Sequence, residues 1–186
     1  MQLPDITVVC IDSKQPELAK AAMKRCTDAI KFGAEVFIDY PQINSRQAYS
    51  KFVLRELHKL VYTKFCLIVQ WDGWVIHPEA WNDQFYNYDY IGAVWYWHPE
   101  GYRVGNGGFS LRSRKLLELT ASPDFVYKDK NEDDLICHDN KDYLESQGIK
   151  FAPEEVARYF SYERELSNIK TFGFHGEFHM DKYVSA

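Results

Sequence analysis

Phe65-Cys66-Leu67-Ile68-Val69 is an unbroken apolar run that stops abruptly at Gln70-Trp71-Asp72-Gly73. A run of that length and composition suits a strand buried on both faces, the kind found in a parallel sheet covered by helices. The same grammar repeats upstream. Residues 6–11 are a largely β-branched run ending at Asp12-Ser13, and residues 17–30 carry Leu18, Ala22, Cys26, Ala29 and Ile30 at helical spacing before Gly33. Residues 35–38 make a short strand ending at Asp39, and residues 49–61 place Tyr49, Phe52, Val53, Leu57, Leu60 and Val61 on one helical stripe. Strand, helix, strand, helix, strand over the first 70 residues predicts an α/β fold, with a mostly parallel central sheet, flanking helices and right-handed crossovers. Ligands of open sheets of this kind sit beyond the carboxyl ends of the strands. Asp12, Asp39 and Asp72 are therefore expected along one edge.

The second half is less regular. Residues 78–85 read as a short helix, residues 90–94 and 109–111 as strands, and Ser113 as the start of a further helix. Asn131 is placed to cap a helix running to about residue 147, with Glu132, Asp133 and Asp134 in its first turn and Gly148 beyond its end. Residues 149–151 and 171–174 are expected as edge strands. With neither repeat nor linker, residues 1–186 read as one domain, either the whole protein or one domain of a longer one.

Composition excludes several classes. A formal net charge of -5 lacks the basic footprint of a duplex nucleic-acid binder. No apolar run approaches the ~20 residues of a membrane span, and the N-terminus lacks the charged start and apolar core of a signal peptide. Cys10, Cys26, Cys66 and Cys137 are scattered, with no C-x-x-C pair, as free buried thiols in a reducing compartment would be. A cytoplasmic location follows as the expectation. The turn after the first strand holds no glycine, which excludes a dinucleotide fingerprint and a P-loop, and neither G-x-S-x-G nor H-E-x-x-H occurs.

What remains points to oxygen ligands. Asp72 ends a strand, and Gln70 two residues earlier is expected on the same side of it. A hard divalent ion takes such oxygens and completes its shell with water and substrate phosphates. A polar strand end that simply caps a turn is the competing reading for Asp72, as helix capping is for Asp12 and Asp39. Three glycines surround Asn106 in Gly105-Asn106-Gly107-Gly108, a composition suited to close backbone approach by a ligand or to a tight turn. The acidic turn at residues 132–134 fits a helix dipole. His175, between Gly173-Phe174 and Gly176, fits either a metal ligand or a loop residue.

Together these segments resemble the GT-A glycosyltransferases. They are closest to a small family of glycosyltransferase-like domains carrying strand-Q-x-D-G, Y-I-G-A, W-H-P-E-G, V-G-N-G-G-F-S-L-R-S, E-D and F-G-F-H-G. Here these are Gln70 to Gly73, Tyr90 to Ala93, Trp97 to Gly101, Val104 to Ser113, Glu132-Asp133 and Phe172 to Gly176, spanning residues 5–176. The resemblance implies a single GT-A-like, Rossmann-like domain. In that fold a strand-end D-x-D motif holds Mn²⁺ (or Mg²⁺) against a nucleotide-sugar diphosphate. Gln70 replaces the first aspartate, so Asp72 is the matching metal ligand and His175 the late histidine that completes the shell. Asp12, Asp39, Gln70, Asp72, Asn106, Gly107 and Gly108 are implied on the donor side. Asp133, with Glu132 as the alternate, is implied as the base.

The implied activity is hexosyl-type transfer, with inversion, from a nucleotide-sugar donor (a UDP-sugar is expected) to a glycan or glycoprotein hydroxyl. Trp95, Trp97 and Tyr102 offer flat surfaces for acceptor sugars, or else pack in the fold. A non-catalytic carbohydrate-binding module and a metal-dependent phosphohydrolase are the rival readings. The first leaves the acidic turn unexplained, and the second calls for more clustered carboxylates.

Overall fold

A computed structural model gives the architecture, with residues 1–164 and 168–184 described. Strand β1 (Gln2–Ile11), helix α1 (Pro16–Ala29), β2 (Lys31–Ile38), α2 (Arg46–Arg55) and β3 (Phe65–Val69) follow the alternation expected from the sequence. Next come β4 (Tyr90–Ile91), β5 (Ala93–Val94), β6 (Val104–Gly105), β7 (Phe109–Ser113) and α3 (Arg114–Thr120). The chain closes with α4 (Glu132–Asp134), α5 (Lys141–Ser146), α6 (Glu154–Phe160), β8 (Ser161–Tyr162), β9 (Gly173–Phe174) and α7 (Asp181–Val184).

The main sheet is mixed, in the order β2-β1-β3-β7-β4. β1 pairs in parallel with both β2 and β3, whereas β7 is antiparallel to both β3 and β4. Four strands therefore share one direction, as expected of a mostly parallel sheet, and β7 alone opposes them. The reason lies between β3 and β7. Parallel neighbours need a crossover, usually helical, and residues 70–108 hold only the 3₁₀ turns Pro78–Ala80 and Asp83–Asn87 and three two-residue strands.

Side-chain alternation splits the core between the two faces of the sheet. Val8, Cys10, Leu67 and Val69 pack with Ala22 and Cys26 of α1 and with Phe109 and Leu111 of β7. Val9, Ile11, Cys66 and Ile68 meet Val53 of α2, Leu57 and Val61. All four cysteines are free and buried; burial pushes the Cys26 and Cys66 thiols up to about 12. No described helix is long and apolar enough to cross a membrane.

Several elements depart from expectation. The strand expected at residues 90–94 breaks at Gly92, where a Cβ would lie 1.7 Å from the Gly105 carbonyl oxygen. Residues 78–85 form the two 3₁₀ turns instead of one helix, and residues 149–151 contribute a single bridge, Tyr90 to Phe151. The helix expected from Asn131 to residue 147 is interrupted: α4 passes into a π turn (Leu135–Asp139), and α5 restarts after Asn140. Asn140 is the cause, because its buried amide donates to the Leu135 and Val126 carbonyls while its oxygen accepts from Val126 N–H. Asn131 makes no side-chain cap bond. Helix α2 begins earlier than the apolar stripe, at Ser45, whose hydroxyl accepts from Ala48 N–H at 3.1 Å.

Candidate active site

The parallel trio delivers three loops to one edge. Asp12 follows β1, Asp39 follows β2, and Gln70 to Gly73 follow β3. Because β7 runs the other way, with Phe109 paired to Val69, its amino end and the preceding Asn106-Gly107-Gly108 arrive at that same edge. Asp12, Lys14, Arg46, Tyr49, Gln70 and Trp71 line a cavity of about 330 Å³ there. Asp12 Oδ1 accepts from Lys14 and Gln15 N–H, both at 2.7 Å, so it caps the turn into α1 while bordering the cavity. Asp39 is exposed and does not line it.

Gln70 and Asp72 converge, although through a tight turn rather than strand alternation: Gly73 N–H donates to the Gln70 carbonyl at 3.1 Å. His175 Nε2 lies 3.2 Å from Gln70 Oε1 and 3.2 Å from Asp72 Oδ1. The short pairing of β9 with β8 brings His175 in; its N–H donates to the Tyr162 carbonyl, and Gly176 N–H donates to the Asp72 carbonyl at 2.9 Å. Both side chains are largely enclosed, 16% exposed for His175 and 13% for Asp72. Burial opposes a charge on His175, yet the Asp72 and Glu163 carboxylates overcome it and lift the imidazole to about 10.

The glycine-rich turn is shaped by the protein's own side chains. Asn106 takes a left-handed φ of 75°, which asparagine tolerates, and its Oδ1 accepts from Gly108 and Phe109 N–H at 2.8 and 3.1 Å. A Cβ on Gly108 would lie 2.0 Å from His175 Nε2, and one on Gly107 2.0 Å from Glu132 Oε1. Close approach of His175 and Glu132 therefore demands both glycines.

The two acidic candidates separate cleanly. Glu132 Oε1 accepts from Arg112 Nη2 at 2.7 Å in a buried ion pair, with the Arg112 side chain 0% exposed. Asp133 Oδ2 instead accepts from Gly107 N–H at 2.8 Å, which sets its carboxylate against the glycine turn. Burial, then the neighbouring Glu132 charge, push Asp133 up to about 7 against the pull of that N–H. The π turn directly after α4 is a feature that recurs at functional sites.

The aromatic loop divides too. Trp95 is buried and its indole N–H donates to Glu163 Oε2 at 2.8 Å. Trp97 is 46% exposed under the Arg164 guanidinium. Tyr102 is half-buried and its hydroxyl donates to Asp142 at 3.1 Å. Two participants had no sequence reading: Glu163 carries no pattern at all, whereas Arg112 stands out as a charge inside an otherwise apolar and small strand run.

Gln70, Asp72 and His175 suit a small divalent ion. Asp72 Oδ1 is a buried carboxylate oxygen whose partner among the described residues is the His175 imidazole, 3.2 Å away without regular hydrogen-bond geometry. The two 3.2 Å separations about His175 Nε2 are near the ~3 Å between adjacent ligands of an octahedral ion with bonds of about 2.1 Å. No set of three or more His, Cys, Asp or Glu among the described residues is arranged as a metal cluster; an ion here would take the Gln70 amide oxygen as its third protein donor.

This architecture is shared with a solved glycosyltransferase. The crystal structure of a glycosyltransferase involved in the glycosylation of the major capsid of PBCV-1 superposes with a TM-score of 0.64, over 97% of this chain and 98% of that one. At 12% identity the likeness is one of fold. The chain itself belongs to the family described as "Protein of unknown function (DUF5672)", whose model matches residues 31–175. No match was found among curated proteins.

Proposed function

We propose that this protein is a metal-dependent glycosyltransferase of the GT-A type, moving a hexosyl group from a nucleoside-diphosphate sugar to a glycan hydroxyl with inversion. The observation that carries the reading is the convergence of Gln70, Asp72 and His175 beside the turn that holds Asp133. The shared fold with a glycosyltransferase supports it. Asp12, Lys14, Arg46 and Tyr49 would enclose the nucleotide in the adjoining cavity, with the two cations placed for an anionic ligand. Gln70, Asp72 and His175 would hold Mn²⁺ or Mg²⁺, which when bound supplies Lewis-acid stabilisation of the leaving diphosphate.

The remaining chemistry belongs to the chain. An acceptor hydroxyl is a weak nucleophile at neutral pH, and a carboxylate titrating near 7 is matched to taking its proton as the glycosidic bond forms. Burial and the neighbouring Glu132 charge raise Asp133 toward that range. Glu132 is occupied by Arg112 and serves to anchor the turn. Trp97 and Tyr102 offer exposed ring surface to the acceptor, while Trp95 supports the loop from beneath.

Calorimetry with UDP, with and without Mn²⁺, tests the reading. Asp72→Ala should abolish most of the metal-dependent affinity; because it also removes a partner of the enclosed His175, some loss in the unfolding midpoint is expected, and affinities are compared at a temperature where both proteins are folded. Equal affinity of wild type and variant in the presence of Mn²⁺ would reject it.

A further inference from the structure

Glu163 sits where three donors meet. Its Oε2 accepts from Trp95 Nε1 at 2.8 Å, its Oε1 lies 3.3 Å from His175 Nδ1, and the Asn106 amide also bonds to it. Its side chain is 20% exposed, and its carbonyl is held by His179 Nε2. The orientation of Asn106 is not free: Oδ1 is engaged by Gly108 and Phe109 N–H, so the amide nitrogen must face His175 and Glu163. That nitrogen is a donor only. Each ring nitrogen of His175 therefore faces a carboxylate, Nδ1 that of Glu163 and Nε2 that of Asp72, and between them the imidazole carries both protons at neutral pH. An ion held by Gln70 and Asp72 would take the place of the Nε2 proton and leave the Nδ1 proton donated to Glu163. Arg164, the next residue, stacks 4.3 Å over Trp97, so consecutive residues grip both tryptophans of the aromatic loop.

We propose that Glu163 is a positioning residue that fixes His175 with Nδ1 protonated and Nε2 directed at the ion site, and that ties this orientation to the aromatic loop through Trp95. The inference rests on the glycosyltransferase reading for its purpose, but the orientation of His175 stands on its own contacts. A carboxylate behind a ligand histidine typically governs metal affinity by 10–100-fold. The link to Trp95 places the acceptor-side loop and the ion site on one carboxylate.

The test uses Glu163→Gln, whose amide retains an acceptor for Trp95 but can present N–H to His175 Nδ1. Nitrogen-15 spectra of the metal-free protein, with His175 assigned by its loss in His175→Gln, should show a protonated Nδ1 in wild type and its loss in Glu163→Gln. Mn²⁺ titrated alone, and again with UDP, should bind Glu163→Gln roughly 10–100-fold more weakly, with UDP affinity in the absence of metal unchanged. An unprotonated Nδ1 in wild type overturns the proposal without any variant. So does a Glu163→Gln spectrum or Mn²⁺ affinity equal to that of wild type. If wild type binds no Mn²⁺ with or without UDP, the functional reading fails, and the nitrogen-15 spectra still decide the role of Glu163.

Discussion

At the scale of single residues, adjacency in sequence conceals opposite roles for Glu132 and Asp133. Successive helical positions point about 100° apart, so one carboxylate enters the core to meet Arg112 and the other lies against Gly107. Asp133→Asn keeps the acceptor for Gly107 N–H but removes basicity, and transfer should fall by roughly 10²–10⁴ with donor affinity hardly changed. The wild-type rate should rise with pH along a limb near 7 that is missing in the variant. Stability gives an independent reading. Asp133 has a folded pKa raised above its unfolded value of about 3.9, so the folded state binds more protons between about 4 and 7, and its contribution to stability falls as pH rises through that window. Asp133→Asn should therefore gain stability relative to wild type between pH 5 and pH 8 in urea unfolding. A constant difference between those pH values, together with near wild-type transfer, would make the acidic turn a helix start and nothing more.

At the scale of elements, legibility followed length. The first two strand-helix units and β3 were readable because apolar periodicity runs through each of them, and their parallel pairing places Asp12, Asp39 and the end of β3 on one edge as expected. Two-residue strands such as β8 and β9 carry no period, so nothing in the sequence announces that Tyr162 and Phe174 pair and bring Glu163 beside His175. The interruption at Asn140 was equally silent, since a buried asparagine that bonds to a loop from residue 126 looks like any polar helix residue. Helix α4 is held to the glycine turn by Arg112, whose guanidinium also meets Ser110 Oγ and lies 5.4 Å from the Tyr90 ring. Glu132→Gln strands that buried cation and should cost about 3–5 kcal/mol in urea unfolding, the usual penalty for breaking a buried pair. Replacing both partners, as Arg112→Met with Glu132→Leu, should recover much of the loss. A Glu132→Gln variant within 1 kcal/mol of wild type, a threshold well below that range, would show that the pair does not anchor α4.

At the scale of the whole molecule, the reversal of β7 is what completes the edge. Three parallel strands alone would present Asp12, Asp39 and Gln70 to Gly73; the antiparallel β7 adds its own beginning, Asn106 to Gly108, and Asp133 docks on that turn. With Asp39 outside the cavity, residues from four separate stretches, at Asp12, Gln70 to Asp72, Asn106 to Gly108 and Asp133, thus meet at this edge, and a ligand spanning them would bind the folded chain but not the unfolded one. Linkage then predicts a stability gain of RT ln(1 + [L]/Kd), about 2.7 kcal/mol at a hundredfold excess over Kd. For a chain of 186 residues that corresponds to a rise in Tm of roughly 5–10 °C. UDP with Mn²⁺ should produce this rise in a thermal melt, and UDP with EDTA should lose most of it. In Asp72→Ala the two melts should coincide, because the carboxylate proposed to hold the ion is gone while Asp12, Lys14 and Arg46 still border the cavity. A full shift with EDTA present, or one retained in Asp72→Ala, would mean that the cavity binds the nucleotide without an ion at Asp72, and the edge would then have to be read as a binding site of a different kind.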